Sequence, residues 1–443
     1  MKKVFCLAFA VFVLTVMCFS TMPARAAEVS FNGQWRVRGF AFDIDGEKVE
    51  NESQSTSYWD QRFRLYITAK ANDNLKGVIR MLSPNHVSCS VDSGDIWGDV
   101  NPKAVLWDLA YLDFDVPQTQ FNVKVGRQGI DLGNYIVLGS CKTYDALMVS
   151  TAVQNVNLSL FTAKLNEGTT GASDFDDEDL YGIALNFKAA PNITLGAFGV
   201  MGSDGDVTDI GYMSNDLVDA IQDIEDSAVT TDMVGRDSAD AMWLGLTGDM
   251  DFNPIKVKLE FDYSKITLVD SDVTNLPDYE ITGYAFFADV CADLPMAKVG
   301  ANLLYTSGHD KDDSSTTESD QFIPISSHFS ERQAYDHIVM YRGIIGANDH
   351  AIGNLTAIQL YAFKDLTPQL SGKFSVQKYN FTNQPEWATG DDLGTEIDVL
   401  LAYKLYDNLT FTGTGAYWLT TDDVFGPDNE NCWLLKHEIL YTF

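Results

Sequence analysis

The sequence predicts an all-β membrane protein: a single transmembrane, antiparallel, up-and-down β-barrel of about 18 strands. Three observations predict it. Apolar and polar residues alternate with period two in segment after segment, the connections between segments alternate short and long, and the chain closes on an amphipathic segment ending in Phe443.

The first 26 residues are set aside. Lys2 and Lys3 precede an apolar run from Val4 to Phe19, and Ala24-Arg25-Ala26 supplies the small-x-small pattern of a cleaved secretory signal peptide. Residues 27–443 are then one barrel domain. No later apolar run approaches the roughly 18 residues that a membrane-spanning helix needs, so any crossing must be made by strands.

The alternation is clearest in 255–264. Ile255, Val257, Leu259, Phe261 and Tyr263 take one face, while Lys256, Lys258, Glu260, Asp262 and Ser264 take the other. It returns in 396–405, where Ile397, Val399, Leu401, Tyr403 and Leu405 oppose Glu396, Asp398 and Lys404, and again in 409–420 beside a ladder of threonines. Strands are expected at 29–41, 58–70, 74–83, 105–115, 120–128, 144–152, 156–165, 180–188, 192–201, 240–251, 255–265, 279–290, 297–306, 354–363, 369–381, 395–406, 409–420 and 432–443. Sixteen strands result if two of the weaker segments merge, and residues 337–345 read as a further strand or as a hairpin within a loop.

Short connections fall at 70–75, 115–119, 153–155, 189–192, 252–254, 293–295, 365–368 and 406–408. They carry the Pro, Asn and Asp that tight turns need. Between them lie long Gly-, Asp- and Ser-rich stretches at 43–57, 83–104, 166–179, 202–240 and 308–353. Short turns at the periplasmic end and long loops outside are the plan of an outer-membrane barrel.

Charge narrows the function classes. The chain has 30 basic and 63 acidic side chains, a net charge of −33. Losing Lys2, Lys3 and Arg25 with the leader leaves 27 against 63, or −36. Such a balance excludes nucleic acid as a partner, because phosphates need Lys- and Arg-rich surfaces. The stretch 204–240 holds eleven acids against Arg236 alone. Acidic vestibules of this kind concentrate cations by field focusing. The knot at 174–179 lacks the glycine and spaced ligands of a calcium loop, so it reads as a solvated charge run that bridges loosely to lipopolysaccharide through divalent ions. No metal site and no cofactor is expected.

Catalysis finds no support in motif. The six histidines show no HExxH spacing, no GxSxG elbow or phosphate-binding loop occurs, and Ser327 beside His328 is a mere adjacency. Of six cysteines four survive removal of the leader, Cys89, Cys141, Cys291 and Cys432, and none forms a CxxC pair. Cys89 and Cys141 both fall in expected outer loops, so they are the candidate disulfide; unpaired small residues are the equal alternative.

Two stretches carry a family resemblance. Residues 59–68, reading WDQRFRLYIT and running through a turn into Gly77-Val-Ile-Arg80, resemble the early hairpin of large bacterial porins and of substrate-selective and alginate-export barrels. Residues 113–119, DFDVPQT, followed by VKVGRQ at 123–128, are similar to the homotrimeric outer-membrane porins of anaerobic bacteria. The resemblance at motif level covers about residues 29–145. It implies a water-filled channel for small hydrophilic solutes, a homotrimer set in outer-membrane lipid and lipopolysaccharide, and a third outer loop folded into the lumen. Here that loop is 129–143, with Asp131 and Asn134; Ile136, Val137 and Leu138 make it unusually apolar for the role. The row Trp433, Leu435, Ile439, Tyr441, Phe443 resembles the terminal signal read by the barrel-assembly machinery, and His437 alone interrupts it.

Parity assigns the lumen. If Phe31, Trp35 and Val37 face lipid, Arg36 and Arg38 face inward; if Trp59, Phe63, Leu65 and Ile67 face lipid, Asp60, Arg62 and Arg64 face inward, and Lys76 and Arg80 follow on the third strand. A charge on the lipid side would cost about 2–4 kcal/mol at the midplane. A basic ladder on one wall, with Asp131, Lys256, Lys258, Glu260, Glu396 and Asp398 elsewhere on the lumen, is the expected channel lining. It acts either as a track for anionic solutes such as acidic saccharides, phosphate or carboxylates, or as a set of arginines that stiffen the wall by pairing with acids such as Asp60. A structural or adhesive surface barrel, working through its long acidic loops, is the third reading.

Overall fold

The computed structural model describes residues 28–44, 54–82, 106–139, 143–166, 178–204, 236–270, 278–309, 318–325, 327, 329, 338–339, 352–385, 388–422 and 431–443. They form one closed antiparallel barrel of eighteen wall strands. In chain order these are β1 (Glu28–Ile44), β2 (Gln54–Asn72), β3 (Leu75–Leu82), β4 (Leu106–Asp115), β5 (Phe121–Gln128), β6 (Tyr144–Val153), β7 (Val156–Asn166), β8 (Glu178–Ala190), β9 (Ile193–Asp204), β10 (Arg236–Asp251), β11 (Ile255–Asp270), β12 (Tyr279–Asp293) and β13 (Lys298–Thr306). The wall continues with β15 (Leu355–Asp365), β16 (Leu370–Phe381), β17 (Asp392–Tyr406), β18 (Leu409–Leu419) and β19 (Cys432–Thr442). Every expected strand is present, and the count is 18 rather than 16. The two-residue β14 (Glu318–Ser319) is not part of the wall; it pairs in parallel with Glu280 and Ile281 of β12.

Each wall strand pairs with its neighbours in sequence, and closure comes from β1 pairing with β19 from Gln34↔Thr442 to Asp43↔Trp433. Gly33 and Phe443 exchange backbone hydrogen bonds of 2.9 and 3.1 Å at the seam. Among the described residues no wall strand is left with an open edge, which is the condition for a sheet to live in hydrocarbon. The tight turns sit where Asn, Asp and Pro stand in the sequence. Between β2 and β3, Asn72 caps the amide of Asn74, and the ion pair between Lys70 and Asp73, 2.7 Å apart, holds the Asp73 carboxyl below its usual range. All eight short connections and both ends of the wall lie at one rim; the long connections lie at the other.

The outer face is apolar. Phe31, Trp35, Leu244, Leu246, Leu360, Val399 and Leu401 are all exposed, and aromatic rings girdle both ends, with Phe121, Phe252, Tyr406 and Phe443 near the turns and Trp59, Trp107, Tyr181 and Trp433 near the loops. In water such a surface would aggregate; it fits a barrel set in lipid. The inner face is divided along the axis. Toward the turns it is charged, whereas toward the loops Phe40, Phe198, Trp243, Ile266, Leu268, Ile281, Phe287 and Trp418 all point inward and are buried.

Candidate channel lining

What buries those inward apolar residues is loop. The 129–139 segment after β5 folds into the barrel, and Ile136, Val137 and Leu138 are fully enclosed, with Ile130 and Leu132 nearly so. Their apolar character, unusual for a loop, matches an apolar inner wall. A second segment, after β13, meets them: Phe322, Ile323, Ile325 and Phe329 are buried in the same cluster, as are Ile338 and Val339. Full burial of each Leu, Ile or Phe side chain stabilises by about 1.5–3 kcal/mol, so the plug is held by more than its polar contacts. Of the stretch 337–345, only Ile338 and Val339 lie among the described residues.

Backbone groups inside the plug find specific partners. The Ile325 amide donates to the Val137 carbonyl at 3.0 Å, the Ser327 hydroxyl donates to the Tyr135 carbonyl at 3.3 Å, and the Trp243 indole donates to the Ile323 carbonyl at 2.8 Å. Two wall glutamates anchor the segments. Glu260 on β11 accepts from the Asn134 amide and, at 2.7 Å, from its side chain; Gly133, with φ of 54°, lets the loop pass directly over that carboxylate. Glu396 on β17 accepts from the Ile338 and Val339 amides, each at 2.9 Å. Both glutamates point inward as parity requires, and both serve as loop anchors.

The basic ladder lies below, on β1 to β3. Arg38 and Asp60 are cross-strand partners and form a buried bidentate pair, with Nε 2.9 and 3.0 Å from the two carboxylate oxygens. Arg38 also stacks on Phe40, 5.0 Å from the ring centre. Arg36 and Arg62 face each other across the same register, and Arg62 donates to Gln34 at 3.1 Å. Arg80 is held by Asp108, with Nε to Oδ1 at 2.7 Å, and by the Tyr66 hydroxyl at 2.9 Å. Arg64, between these groups, makes no hydrogen bond or ion pair with the described residues, and its Nε is buried without a partner.

The remaining expected lining residues are spread around the lumen. Lys76 pairs with Asp113 at 3.1 Å, and Lys256 pairs with Asp293 at 2.6 Å beside the turn rim. Lys258 faces the cross-strand residues Asp249 and Asp289. Asp398 is buried and accepts from Gln377 at 2.6 Å. Asp131 lies exposed on the inner loop beside Asp249. β11, with Glu260 and Asp262, stands half-way round the wall from β2 with its arginines, so a basic and an acidic wall face one another. The sequence reading missed Asp108 and Tyr66 as partners of Arg80, although Asp108 lies within an expected strand. Cys291 and Cys432 are buried, while Cys89 and Cys141 lie outside the described residues.

No protein-family model matches the chain, and none of the curated proteins does. Solved structures do share its fold. OccK11 (OpdR) of Pseudomonas aeruginosa superposes with a TM-score of 0.55 at 13% identity, covering 94% of this chain and 96% of that one. OpdK of the same organism, solved with vanillate, gives 0.56 at 11% identity over 94% and 98%, and OpdQ gives 0.52 at 14% identity over 93% and 98%. OpdK is an outer membrane protein. At these identities the likeness is one of architecture, and over nearly its whole length the chain has the fold of the OccK and OpdK barrels.

Proposed function

We propose that the chain is an outer-membrane porin, a channel through which small hydrophilic solutes and ions diffuse passively. The observation that carries this reading is the wall: closed, apolar on its outer face, and charged on the inner face toward the turns. On this reading residues 1–26 are a cleaved leader, the turn rim faces the periplasm and the long loops face outside. A homotrimer in lipid and lipopolysaccharide, delivered by the barrel-assembly machinery, completes the proposal.

A specific observation favours a selective channel over a general one. The plug narrows the loop end of the lumen, so passage is confined to what the remaining polar surface accepts. On that surface Arg64 offers a guanidinium with no partner among the described residues, next to Arg36 and Arg62. Guanidinium binds carboxylate and phosphate in a matched two-pronged geometry, so anionic solutes are the proposed class. Vanillate, the compound seen with OpdK, carries a carboxylate and is consistent with it.

The test is planar-bilayer recording on residues 27–443 refolded in detergent. Stepwise ohmic openings are expected, with saturable block by a small aromatic carboxylate and loss of that block in R64A. Folded protein that never conducts would refute the channel. Block that is identical in wild type and R64A would refute the anion track while leaving the channel standing.

A further inference from the structure

Glu260 and Asp262 follow one another on the inner face of β11 and are 1% and 0% exposed. Gly133 of the inner loop lies directly over the Glu260 carboxyl, with no room for a side chain between them. Asp262 and the Phe198 ring of β9 meet across Gly245 of β10, where a Cβ would collide with both. The cross-strand neighbours supply no countercharge: they are Thr247 and Gly245 on β10 and Phe287 and Ala285 on β12. The charged groups on the surrounding inner faces are Asp249 on β10, Asp289 on β12, Asp131 on the inner loop and Lys258 on β11 itself, while the loop after β13 brings only the Ile323 amide to Ser264. Neither Glu260 nor Asp262 makes an ion pair with the described residues.

The two carboxyls hydrogen-bond each other. An ionised carboxylate has acceptors only, so this bond exists only with one proton held between the two groups. Without that proton, Oε1 of Glu260 and both carboxylate oxygens of Asp262 are left with no hydrogen-bond partner among the described residues. Two like charges would then stand side by side out of reach of water, which is strongly disfavoured. The same Glu260 carboxyl accepts from the Asn134 amide and, at 2.7 Å, from its Nδ2. One proton and the seat of the inner loop are thus joined in a single buried group.

We infer that a single proton shared by Glu260 and Asp262 latches the inner loop to the wall, so that its Asn134 end is held on the acid side and let go on the alkaline side. With the loop seated, Gly133 keeps water from Glu260 and the proton stays between the carboxyls. With the loop lifted, both carboxyls are hydrated and ionised, and the proton leaves to solvent. The seated state therefore binds one proton more than the lifted state. By linkage its share falls as pH rises, by up to about tenfold per pH unit. Asp249 acts on Glu260 through space and adds to the repulsion once the proton is gone. Lys258 stands cross-strand between Asp249 and Asp289, which outnumber it. The latch goes beyond the channel reading and holds whether or not the barrel conducts.

The test is hydrogen–deuterium exchange, read by mass spectrometry in peptides spanning 129–139, on the full chain folded in detergent at roughly pH 6 to 9, a range that reaches the titration of deeply buried carboxyls. The Asn134 amide is the direct reporter, because its acceptor is Glu260. D262N is the comparison: its Nδ2 supplies a permanent hydrogen where the proton sat, and comparing the two proteins at each pH cancels the intrinsic exchange rate. Uptake by 129–139 in wild type is expected to climb above that of D262N as pH rises, approaching about tenfold per unit. Wall peptides such as 355–365 are expected to match in both. A ratio of wild type to D262N that stays flat would overturn the latch, and so would a rise shared by the wall peptides, since the whole barrel would then be loosening. If D262N does not fold, E260Q takes its place, with Nε2 donating to Asp262 and Oε1 accepting from Asn134, and a flat ratio refutes the latch in the same way.

Discussion

The amide of Ile325 donates to the carbonyl of Val137 inside the barrel, so the loop after β13 and the loop after β5 are one packed unit. It is attached to β17 through Glu396, which accepts from two amides. In E396A those amides lose their acceptors, at about 1–3 kcal/mol for each buried group left unpaired. The expected outcome is a lower unfolding temperature together with larger, noisier single-channel currents. Wild-type currents from E396A would show that the plug is held by packing alone.

Arg38 and Asp60 give a sharper energetic test. Removing one partner of a buried ion pair costs about 3–5 kcal/mol because a charge is left uncompensated. D60A is therefore expected to unfold at distinctly lower denaturant, whereas replacing both residues by apolar side chains of similar volume recovers most of the loss. If D60A matches wild type in chemical unfolding, the pair has no structural role.

Leu400 and Leu401 are neighbours on β17 that face opposite solvents. Leu401 is exposed on the lipid face, and an arginine there is expected to cost about 2–4 kcal/mol near the midplane. L400R points into the lumen and should fold. The comparison is read as denaturant-dependent insertion into lipid vesicles; equal behaviour of L400R and L401R would contradict the parity of the whole strand.

Phe443 stacks on Phe63, with ring centres 6.1 Å apart, and seals the seam at Gly33. Its deletion is expected to lower the amount of barrel assembled in cells several-fold while refolding in detergent stays close to wild type. Assembly in cells unaffected by the deletion would refute a role in recognition by the assembly machinery.

The wall was legible because lipid and lumen impose a period of two, and Ile255 to Ser264 shows it without interruption. The ends were less so. β1 extends to Ile44 and β2 begins at Gln54, beyond the apolar rows, because hydrogen bonding continues after burial on the outside ceases. The half of the plug that follows β13 was not legible. Phe322, Ile323 and Ile325 have no period of their own, since their partners, such as Trp243, lie far away in sequence. One signal was available. Ala239, Ala241 and Trp243 are apolar where parity assigns the lumen, which is a mark of a lumen that is not filled with water at that height. The ladder was legible as a row of basic residues, but which arginines are spoken for depends on cross-strand register, and alternation alone does not supply it.

The seam between Gly33 and Phe443 sets an order of events. A cylinder whose first strand bonds to its last cannot be sealed while any part of the chain is still being exported. Until the final residue arrives, β1 must wait with a bare edge, shielded by something other than its own partner. By the same geometry the position of the chain ends is arbitrary: bridging 443 to 28 with a short linker and reopening the wall at the 407–408 turn would leave the finished cylinder unchanged while making a different strand wait.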